Sequence, residues 1–332
     1  MTRVAVAGAG GWGTALANLL AHKGETVVMW AYEKEVVEEI NSRHRNDLFL
    51  PEAPLHATLR ATRDIAEAVT GAEVVVSAAP SHVVRTVMGS AASALLPGAL
   101  VVSASKGLEP DRLMRMTEVL GEALPGHAAI VALSGPTFAR EVYERQPTAA
   151  TAAGPAEAAV RTQHAMSTPW FRVYTSDDPI GVELGGALKN VVAIAAGILE
   201  GLGLGNNPRA ALITRGLAEI TRLGVAMGAK PLTFAGLAGM GDLVLTSTGP
   251  LSRNRSLGVE LGRGASLASV LARRISVAEG VGTAKAAVAL GERLGVELPI
   301  AREVYRVLFE GKPPRQAIGD LMERALKSEA PA

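Results

Sequence analysis

The chain has 332 residues, with 33 Lys and Arg against 32 Asp and Glu, so its formal net charge is +1 and no general attraction to nucleic acid is expected. The absence of cysteine excludes a disulfide framework, thiolate-ligated metals and a cysteine nucleophile. The six histidines lack the spacing of metal ligands, so we expect no metal site. A hydrophobic fraction of 48% excludes a disordered chain, and the length suggests two domains of ~100–200 residues each.

The N-terminal apolar run, residues 4–7, is too short for the core of a signal peptide and leads directly into glycines. The uncharged stretch 86–105 approaches the ~20 residues of a membrane span, but Pro97 and Gly98 interrupt it. We therefore expect no export and no integral membrane segment, and a cytoplasmic location.

Short apolar runs alternate with helical patterns through the first half of the chain. Strands are predicted at residues 4–7, 26–30, 73–78, 100–104 and 129–133, with weaker ones at 148–153 and 171–174. Runs of this length between helices predict a parallel sheet buried on both faces. Residues 1–178 are therefore predicted to form a doubly wound, Rossmann-like α/β domain.

Small and polar residues follow three of these strands, at residues 77–81, 103–107 and 134–136. Turn residues are expected after any single strand, but small and polar residues after three successive strands favour a ligand cleft. Ligands of open α/β sheets bind at the carboxyl ends of the strands.

Clear strand patterns stop near Asp177-Asp178-Pro179. Helices are predicted at residues 180–199, 208–224, 266–273, 283–294, 299–309 and 314–327, with glycine-rich loops at 201–207 and 236–242. Residues 179–332 are therefore predicted to form an all-α domain that binds the substrate.

The segment Gly8-Ala9-Gly10-Gly11-Trp12-Gly13 matches G-x-G-x-x-G between a predicted strand and a predicted helix. Gly8 is expected to make the tight turn, Gly10 to admit a pyrophosphate, and Gly13 to let the helix pack on the strand. The helix N-terminus then offers N–H groups and a positive dipole to the anion. This pattern predicts binding of NAD or NADP.

Glu33 stands twenty residues after Gly13, where an acid is expected to accept a hydrogen bond from the adenosine ribose of NAD. Basic residues nearby, namely Lys34, Arg43 and Arg45, are also suited to a 2′-phosphate. The sequence leaves the choice between NAD and NADP open.

Two lysines and one aspartate are candidates for chemistry. Lys189 lies in a predicted helix that has almost no other charge, and burial would lower its pKa toward neutrality; a snorkelling, solvated lysine fits the pattern equally well. Lys106 follows a strand, where it is either a ligand contact or an ordinary loop residue. Asp242, in a glycine-rich loop, is either a site residue or a helix cap.

The segment Ser252-Arg253-Asn254-Arg255 begins a predicted helix, with Ser252 as its cap. Arginine is disfavoured by the helix dipole at this position, which indicates that an anion offsets the cost. We therefore interpret this helix start as an anion site.

These motifs resemble the NAD(P)-dependent glycerol-3-phosphate dehydrogenases of the bacterial type, over nearly the whole chain. The resemblance is carried by Gly8-Ala9-Gly10-x-x-Gly13-Thr14, Lys106-Gly107-Leu108-Glu109, Ser134-Gly135-Pro136-Thr137-Phe138-Ala139, Leu184-Gly185-Gly186-Ala187-Leu188-Lys189-Asn190-Val191, Gly241-Asp242-Leu243-Val244-Leu245-Thr246 and Ser252-Arg253-Asn254-Arg255.

The resemblance implies a role for each matching residue. The cofactor contacts that it implies are Gly8, Gly10, Gly11, Trp12, Gly13, Tyr32, Lys106, Ala139, Arg253, Val277 and Glu279. The implied substrate contacts are Lys106, Gly135, Thr137, Lys189, Asp242, Ser252, Arg253 and Asn254. Lys189 matches the proton acceptor of the family, Lys106 is expected to polarise the substrate oxygen, and Asp242 and Thr246 are expected to orient Lys189.

The resemblance further implies reversible reduction of dihydroxyacetone phosphate to sn-glycerol 3-phosphate by NADH or NADPH, which supplies glycerophospholipid synthesis. It also implies a homodimer. Two other functions stay open at this point. One is a dehydrogenase of the same architecture that acts on a β-hydroxy acid or a sugar acid, and the other is a dinucleotide-sensing module without catalysis.

Overall fold

The computed structural model describes residues 2–124, 126, 129–274, 278–326 and 328–329, and it places one mixed sheet before a set of packed helices. The strands are β1 (Arg3–Ala7), β2 (Thr26–Trp30), β3 (Arg60–Thr62), β4 (Val74–Ser77), β5 (Leu100–Ser103), β6 (Ile130–Ser134), β7 (Thr148–Ala153) and β8 (Phe171–Ser176). The helices between them are α1 (Gly11–His22), α2 (Lys34–Arg43), α3 (Ile65–Val69), α4 (Val84–Ala91), α5 (Met116–Ala123), α6 (Ala139–Tyr143) and α7 (Ala156–Met166).

Helices alone follow the sheet in the described part of the chain. They are α8 (Pro179–Gly201), α9 (Asn206–Ala226), α10 (Asp242–Thr248), α11 (Arg253–Gly262), α12 (Leu267–Leu271), α13 (Glu279–Leu294), α14 (Pro299–Phe309) and α15 (Pro314–Met322). Strand β8 ends at Ser176, and α8 begins at Pro179 with the side chain of Asp178 accepting a hydrogen bond from Gly181 N. The predicted change from an α/β to a helical half is therefore confirmed.

Strand order in the sheet is β3-β2-β1-β4-β5-β6-β7-β8. The central strands are valine-rich and buried on both faces, as a parallel sheet covered by helices requires. On one face Val76 belongs to the same apolar cluster as Leu20 of α1, and on the other Val75 clusters with Met88 of α4. The predicted Rossmann-like architecture is confirmed.

Two features of the sheet differ from the prediction. Strand β7 is antiparallel to β6, although the other neighbouring strands run parallel. The connection between β6 and β7 contains just the five-residue helix α6, which is too short to cross the sheet and return in the same direction. The three-residue edge strand β3, with a sequence Arg-Ala-Thr, lacks the apolar run that sequence patterns detect.

The predicted glycine-rich loop at 236–242 is also wrong, because residues Leu237–Gly241 form a π-helical turn that leads into α10. A Cβ atom on Gly239 would lie 2.2 Å from the carbonyl oxygen of Phe234. Glycine here serves close packing of the backbone rather than flexibility.

Helix α8 is the centre of the helical half, and α11 crosses it at very short range. A Cβ atom on Gly197 of α8 would lie 2.0 Å from the carbonyl oxygen of Arg255, and one on Gly258 of α11 would lie 2.0 Å from that of Ile194. Small residues of this kind let two helix backbones approach closely. The start of α11 is thereby fixed against the middle of α8.

Helix α8 is long and apolar enough, by length and composition, to cross a membrane, but its surface is almost entirely covered by other parts of the protein. Its hydropathy therefore reflects its place in the core of the helical half.

We predict that Gly258→Ala lowers the free energy of unfolding by about 1–3 kcal/mol, the usual cost of overpacking, because the new methyl group meets the backbone of α8. Urea denaturation followed by circular dichroism measures the change. The matched control is Gly89→Ala in α4, where nothing lies within 4 Å of the new Cβ atom. Because alanine favours a helix over glycine, this change should raise the free energy of unfolding by up to ~1 kcal/mol. Equal effects of both changes would contradict the close approach of α11 to α8.

Candidate active site

The phosphate loop joins β1 to α1 in the geometry that its glycines require. Gly8 has φ +125°, and a Cβ atom on Gly13 would lie 2.0 Å from the carbonyl oxygen of Gly8. Gly10 has nothing within 4 Å of its Cβ position, so this side of the loop is open. Because α1 begins at Gly11 with no side-chain cap, its first N–H groups are available to an anion. The loop therefore fits a dinucleotide pyrophosphate.

The loop is held next to neighbouring strands by specific contacts. The indole Nε1 of Trp12 donates to the carbonyl oxygen of Ala104, just after β5, at 3.1 Å. A Cβ atom on Gly11 would lie 2.8 Å from the carbonyl oxygen of Phe49 and 3.8 Å from Cβ of Ala139. The predicted cofactor residues Gly11, Trp12 and Ala139 therefore lie around one loop, beside the segment that carries Lys106.

A buried carboxylate joins the two candidate lysines. Asp242 accepts from Lys189 Nζ at 2.6 Å through Oδ1 and from Lys106 Nζ at 2.7 Å through Oδ2. Lys189 Nζ also donates to Thr246 Oγ1 at 2.7 Å. The side chain of Asp242 is 1% exposed, that of Lys189 8% and that of Lys106 16%. Three elements that are distant in sequence thus place their charges in one buried network.

Lys106 also contacts the segment after β6. Its Nζ donates to the carbonyl oxygen of Gly135 at 2.7 Å and to Thr137 Oγ1 at 3.3 Å. The structure therefore brings together six of the predicted site residues in one hydrogen-bonded network, namely Lys106, Gly135, Thr137, Lys189, Asp242 and Thr246.

The surroundings of this network lower the pKa values of Lys189 and Asp242. Burial lowers the pKa of Lys189 to about 8; Asp242 opposes this shift, and the positive charge of Lys106 adds to it. Burial acts to raise the pKa of Asp242, but Lys106 and Lys189 outweigh it and hold that pKa below its usual range. Asp242 is therefore an anion at neutral pH, and Lys189 can exchange a proton close to neutrality.

The structure settles the alternatives for two of these residues. Lys189 is buried and hydrogen-bonded, so it is not a snorkelling lysine. Asp242 is the first residue of α10 and bonds the two lysines, so it is not a helix cap.

Two adjacent glycines, one turn before Lys189, let α8 pack closely on the end of β6 and on the π-helical turn. A Cβ atom on Gly186 would lie 2.4 Å from Ser134 Oγ at the end of β6, and one on Gly185 would lie 2.5 Å from the carbonyl oxygen of Ala238. Larger residues would push α8 outward and move Lys189 away from the strand ends.

A second buried charge, which no sequence pattern predicts, ties α8 to the first half of the chain. Glu183 accepts from Arg115 Nη1 at 2.6 Å, from Thr117 N at 2.7 Å and from Thr117 Oγ1 at 2.6 Å. Burial raises the pKa of Glu183, while Arg115 and Thr117 act against the shift. These bonds fix the angle at which α8 leaves the sheet, although none of them touches the lysine network.

The start of α11 offers a cation beside the lysine network. Ser252 Oγ accepts from Arg255 N at 3.2 Å, which confirms the predicted cap. Asn254 Nδ2 donates to Asn190 Oδ1 at 2.9 Å, one residue after Lys189. Arg253 is solvent-accessible and forms no ion pair with the residues that the structure describes. Its charge is close enough to contribute to the lowered pKa of Lys189.

The remaining predicted cofactor residues lie outside the lysine network. Glu279, at the start of α13, accepts from Ser81 N at 3.1 Å and from Ser81 Oγ at 2.6 Å, and so bridges the two halves. Tyr32, after β2, is 73% exposed. Val277 lies outside the described residues.

Comparison with known proteins gives a match over both halves. Residues 3–160 match the family described as NAD-dependent glycerol-3-phosphate dehydrogenase N-terminus, and residues 178–319 match the corresponding C-terminus. The glycerol-3-phosphate dehydrogenase (NAD(P)+) of Geobacter sulfurreducens is 56% identical over 330 residues, which cover 98% of each chain.

Solved structures show the same architecture. The glycerol-3-phosphate dehydrogenase of Coxiella burnetii is 38% identical with a TM-score of 0.93, over 97% of this chain and 99% of the other. The Saccharomyces cerevisiae glycerol-3-phosphate dehydrogenase is 28% identical with a TM-score of 0.81, over the same shares.

Proposed function

The chain belongs to the NAD-dependent glycerol-3-phosphate dehydrogenase family, and we propose that it interconverts dihydroxyacetone phosphate and sn-glycerol 3-phosphate with NADH or NADPH as the cofactor. The observation that carries the proposal is the buried network in which Asp242 and Thr246 hold Lys189, with Lys106 beside it. A proton donor with a pKa near 8 at the strand ends, next to an open phosphate loop, is what reduction of a ketone requires.

The cofactor, when bound, supplies the hydride that the ketone carbon accepts. Lys189 then gives a proton from Nζ to the ketone oxygen, and in the reverse direction it takes the hydroxyl proton back. Lys106 stabilises the negative charge that develops on this oxygen. Asp242 keeps both ammonium groups in position, and Thr246 fixes the orientation of Lys189.

The substrate phosphate is assigned to the start of α11. Arg253 supplies a positive charge that forms no ion pair with the described carboxylates, although Glu279 lies near enough to attract it, and Ser252 and Asn254 are its neighbours in the chain. Gly135 and Thr137 line the Lys106 side of the site. Because the phosphate is remote from the reacting carbon, its binding holds the ketone in place for both transfers.

We assign the cofactor to the first half of the chain, residues 1–178, as the dinucleotide-binding domain, and the substrate phosphate to residues 179–332. The phosphate loop at Gly8, Gly10 and Gly13 supports the first assignment. Glu279 is the contact by which the second domain reaches the cofactor side.

The expected product is the backbone of glycerophospholipids, and we assign the enzyme to their synthesis in the cytoplasm. The support is the chemistry of the product, together with an apolar helix α8 that lies inside the protein.

A homodimer is part of the same proposal. An apolar groove between α9 and α10 is lined by Ile213, Leu217, Met240 and Val244, and the last two are 44% and 41% exposed. Exposed apolar grooves of this kind favour a protein partner, and a second copy is the occupant that we propose.

Sedimentation equilibrium tests the dimer. We expect the mass of two chains for the unchanged protein and of one chain for Ile213→Asp, which places a charge in the groove. A single-chain mass for the unchanged protein would contradict the proposal.

Lys189→Met is expected to lower kcat/KM for dihydroxyacetone phosphate by ~10²–10⁴-fold, because the proton donor is lost. In the unchanged enzyme the pH profile provides a second check. Reduction needs protonated Lys189, so its kcat/KM falls as the pH rises through about 8, whereas oxidation of sn-glycerol 3-phosphate needs the neutral amine and speeds up over the same range.

Initial rates of NADH and NADPH oxidation measure both effects. Lys285→Ala, an exposed lysine on α13, is the control and should leave the rates unchanged. Full turnover by Lys189→Met would remove Lys189 from the mechanism. Turnover of a β-hydroxy acid or a sugar acid alone, or dinucleotide binding without any turnover, would instead support one of the other two functions.

Arg253→Ala is expected to reduce kcat/KM for dihydroxyacetone phosphate by ~10–100-fold, chiefly through KM, since a charged hydrogen bond to the phosphate is lost. The rate with unphosphorylated dihydroxyacetone should not change. Arg263→Ala, at the other end of α11, is the control. An equal loss with both ketones would show that Arg253 does not bind the phosphate.

A further inference from the structure

The ends of β2 and β3 form one edge of the sheet next to the phosphate loop. Trp30 pairs with Thr62 in the parallel register, and Gly8 N donates to the carbonyl oxygen of Trp30 at 3.1 Å. A dinucleotide whose pyrophosphate lies on the loop therefore places its adenosine ribose at this edge.

The residues just beyond the two strands are locked together. Ala31 N donates to the carbonyl oxygen of Thr62 at 3.0 Å, and Arg63 Nε donates to that of Tyr32 at 3.3 Å. Trp30 Nε1 in turn donates to the carbonyl oxygen of Arg63 at 3.0 Å. Arg63 and the segment that leads to Glu33 consequently lie side by side.

Most of the charges that the sequence offered for a 2′-phosphate are occupied or distant. Lys34 pairs with Glu38 at 3.3 Å, and Arg45 pairs with Asp47 at 2.9 Å. Arg43 is the last residue of α2, about 15 Å along the helix from its N-terminal end.

Two groups at this edge have no such partner. The carboxylate of Glu33 makes no ion pair or hydrogen bond within the described ranges, which include all of residues 2–124. The guanidinium of Arg63 forms no ion pair with any carboxylate in those ranges and uses Nε alone, on the carbonyl oxygen of Tyr32. One unpaired anion and one unpaired cation therefore flank the place of the adenosine ribose.

We propose that Glu33 and Arg63 act against each other in the choice of cofactor and that NADH is preferred. Glu33 accepts hydrogen bonds from the ribose hydroxyls of NADH and repels a 2′-phosphate. Arg63 attracts that phosphate and keeps NADPH as a weaker alternative. The inference rests on the proposed function, because it takes the bound group to be a nicotinamide dinucleotide.

Binding of NADH and NADPH to the full chain, without ketone, tests the proposal independently of turnover. Energy transfer from tryptophan to the reduced nicotinamide provides the signal, since Trp12 lies in the first turn of α1, directly after the phosphate loop. For the unchanged protein we expect Kd for NADPH to exceed Kd for NADH by about tenfold or more, since a charge contact at ~4 Å changes an equilibrium by about fivefold in bulk water and by about a thousandfold near a protein surface.

The variants separate the two charges. Glu33→Gln should lower the Kd ratio of NADPH to NADH by about tenfold, and Arg63→Gln should raise it by about tenfold through NADPH alone. Lys34→Gln removes a cation that is already paired and should leave the ratio unchanged. Tyr32→Ala, which removes an uncharged contact at the same edge, should weaken both nucleotides equally.

Tighter binding of NADPH than of NADH by the unchanged protein, or an unchanged ratio in Glu33→Gln, would overturn the assignment. An unchanged ratio in Arg63→Gln would overturn the role of Arg63. The expected ratios combined with no reduction of dihydroxyacetone phosphate would support the cofactor choice and contradict the proposed function instead.

Discussion

Asp242 accepts hydrogen bonds from both Lys106 and Lys189, so one buried carboxylate joins the sheet to the helices. Removing three charged side chains from water is costly, and the cost is offset only if the partners meet at hydrogen-bonding distance. Those partners come from the loop after β5, from the middle of α8 and from the start of α10. The sheet and the helices must therefore be held in one relative position. As a result, the pKa of the Lys189 ammonium group lies near 8, a value that a solvent-exposed lysine would not have.

The positioning of these charges relies on the smallest side chains rather than on the largest. Gly186 lets α8 pack on the end of β6, Gly185 lets it pack on the π-helical turn, and Gly197 and Gly258 let α11 pack on α8. The contacts of Gly185, Gly197 and Gly258 bring one backbone against another, and backbone positions vary less than the ends of long side chains. The distance between the proton donor on α8 and the cation at the start of α11 is consequently set by two rigid helices.

Features encoded within one short segment could be predicted from the sequence, and features that depend on distant partners could not. The phosphate loop, the valine-rich strands and the cap at Ser252 follow from local spacing, and the family was identified from such motifs. The direction of β7 and the bonds of Glu183 to Arg115 depend on chain connections or on residues far away in sequence. The apolar neighbours of Lys189 in the sequence suggested that it could be buried. Its burial could not be predicted, because it depends on hydrogen bonds to Asp242 and Thr246, which lie on another helix.

During synthesis of the chain, α8 leaves the ribosome well before α11, the helix that covers it. Helix α8 ends at Gly201, and its glycine-lined face is covered by a helix that ends at Gly262, about 60 residues later. At ~5–20 residues per second, translation of that interval takes ~3–12 seconds. For those seconds an apolar helix of membrane-spanning length has left the ribosome without the helix that covers it, so its glycine-lined face is exposed in the nascent chain.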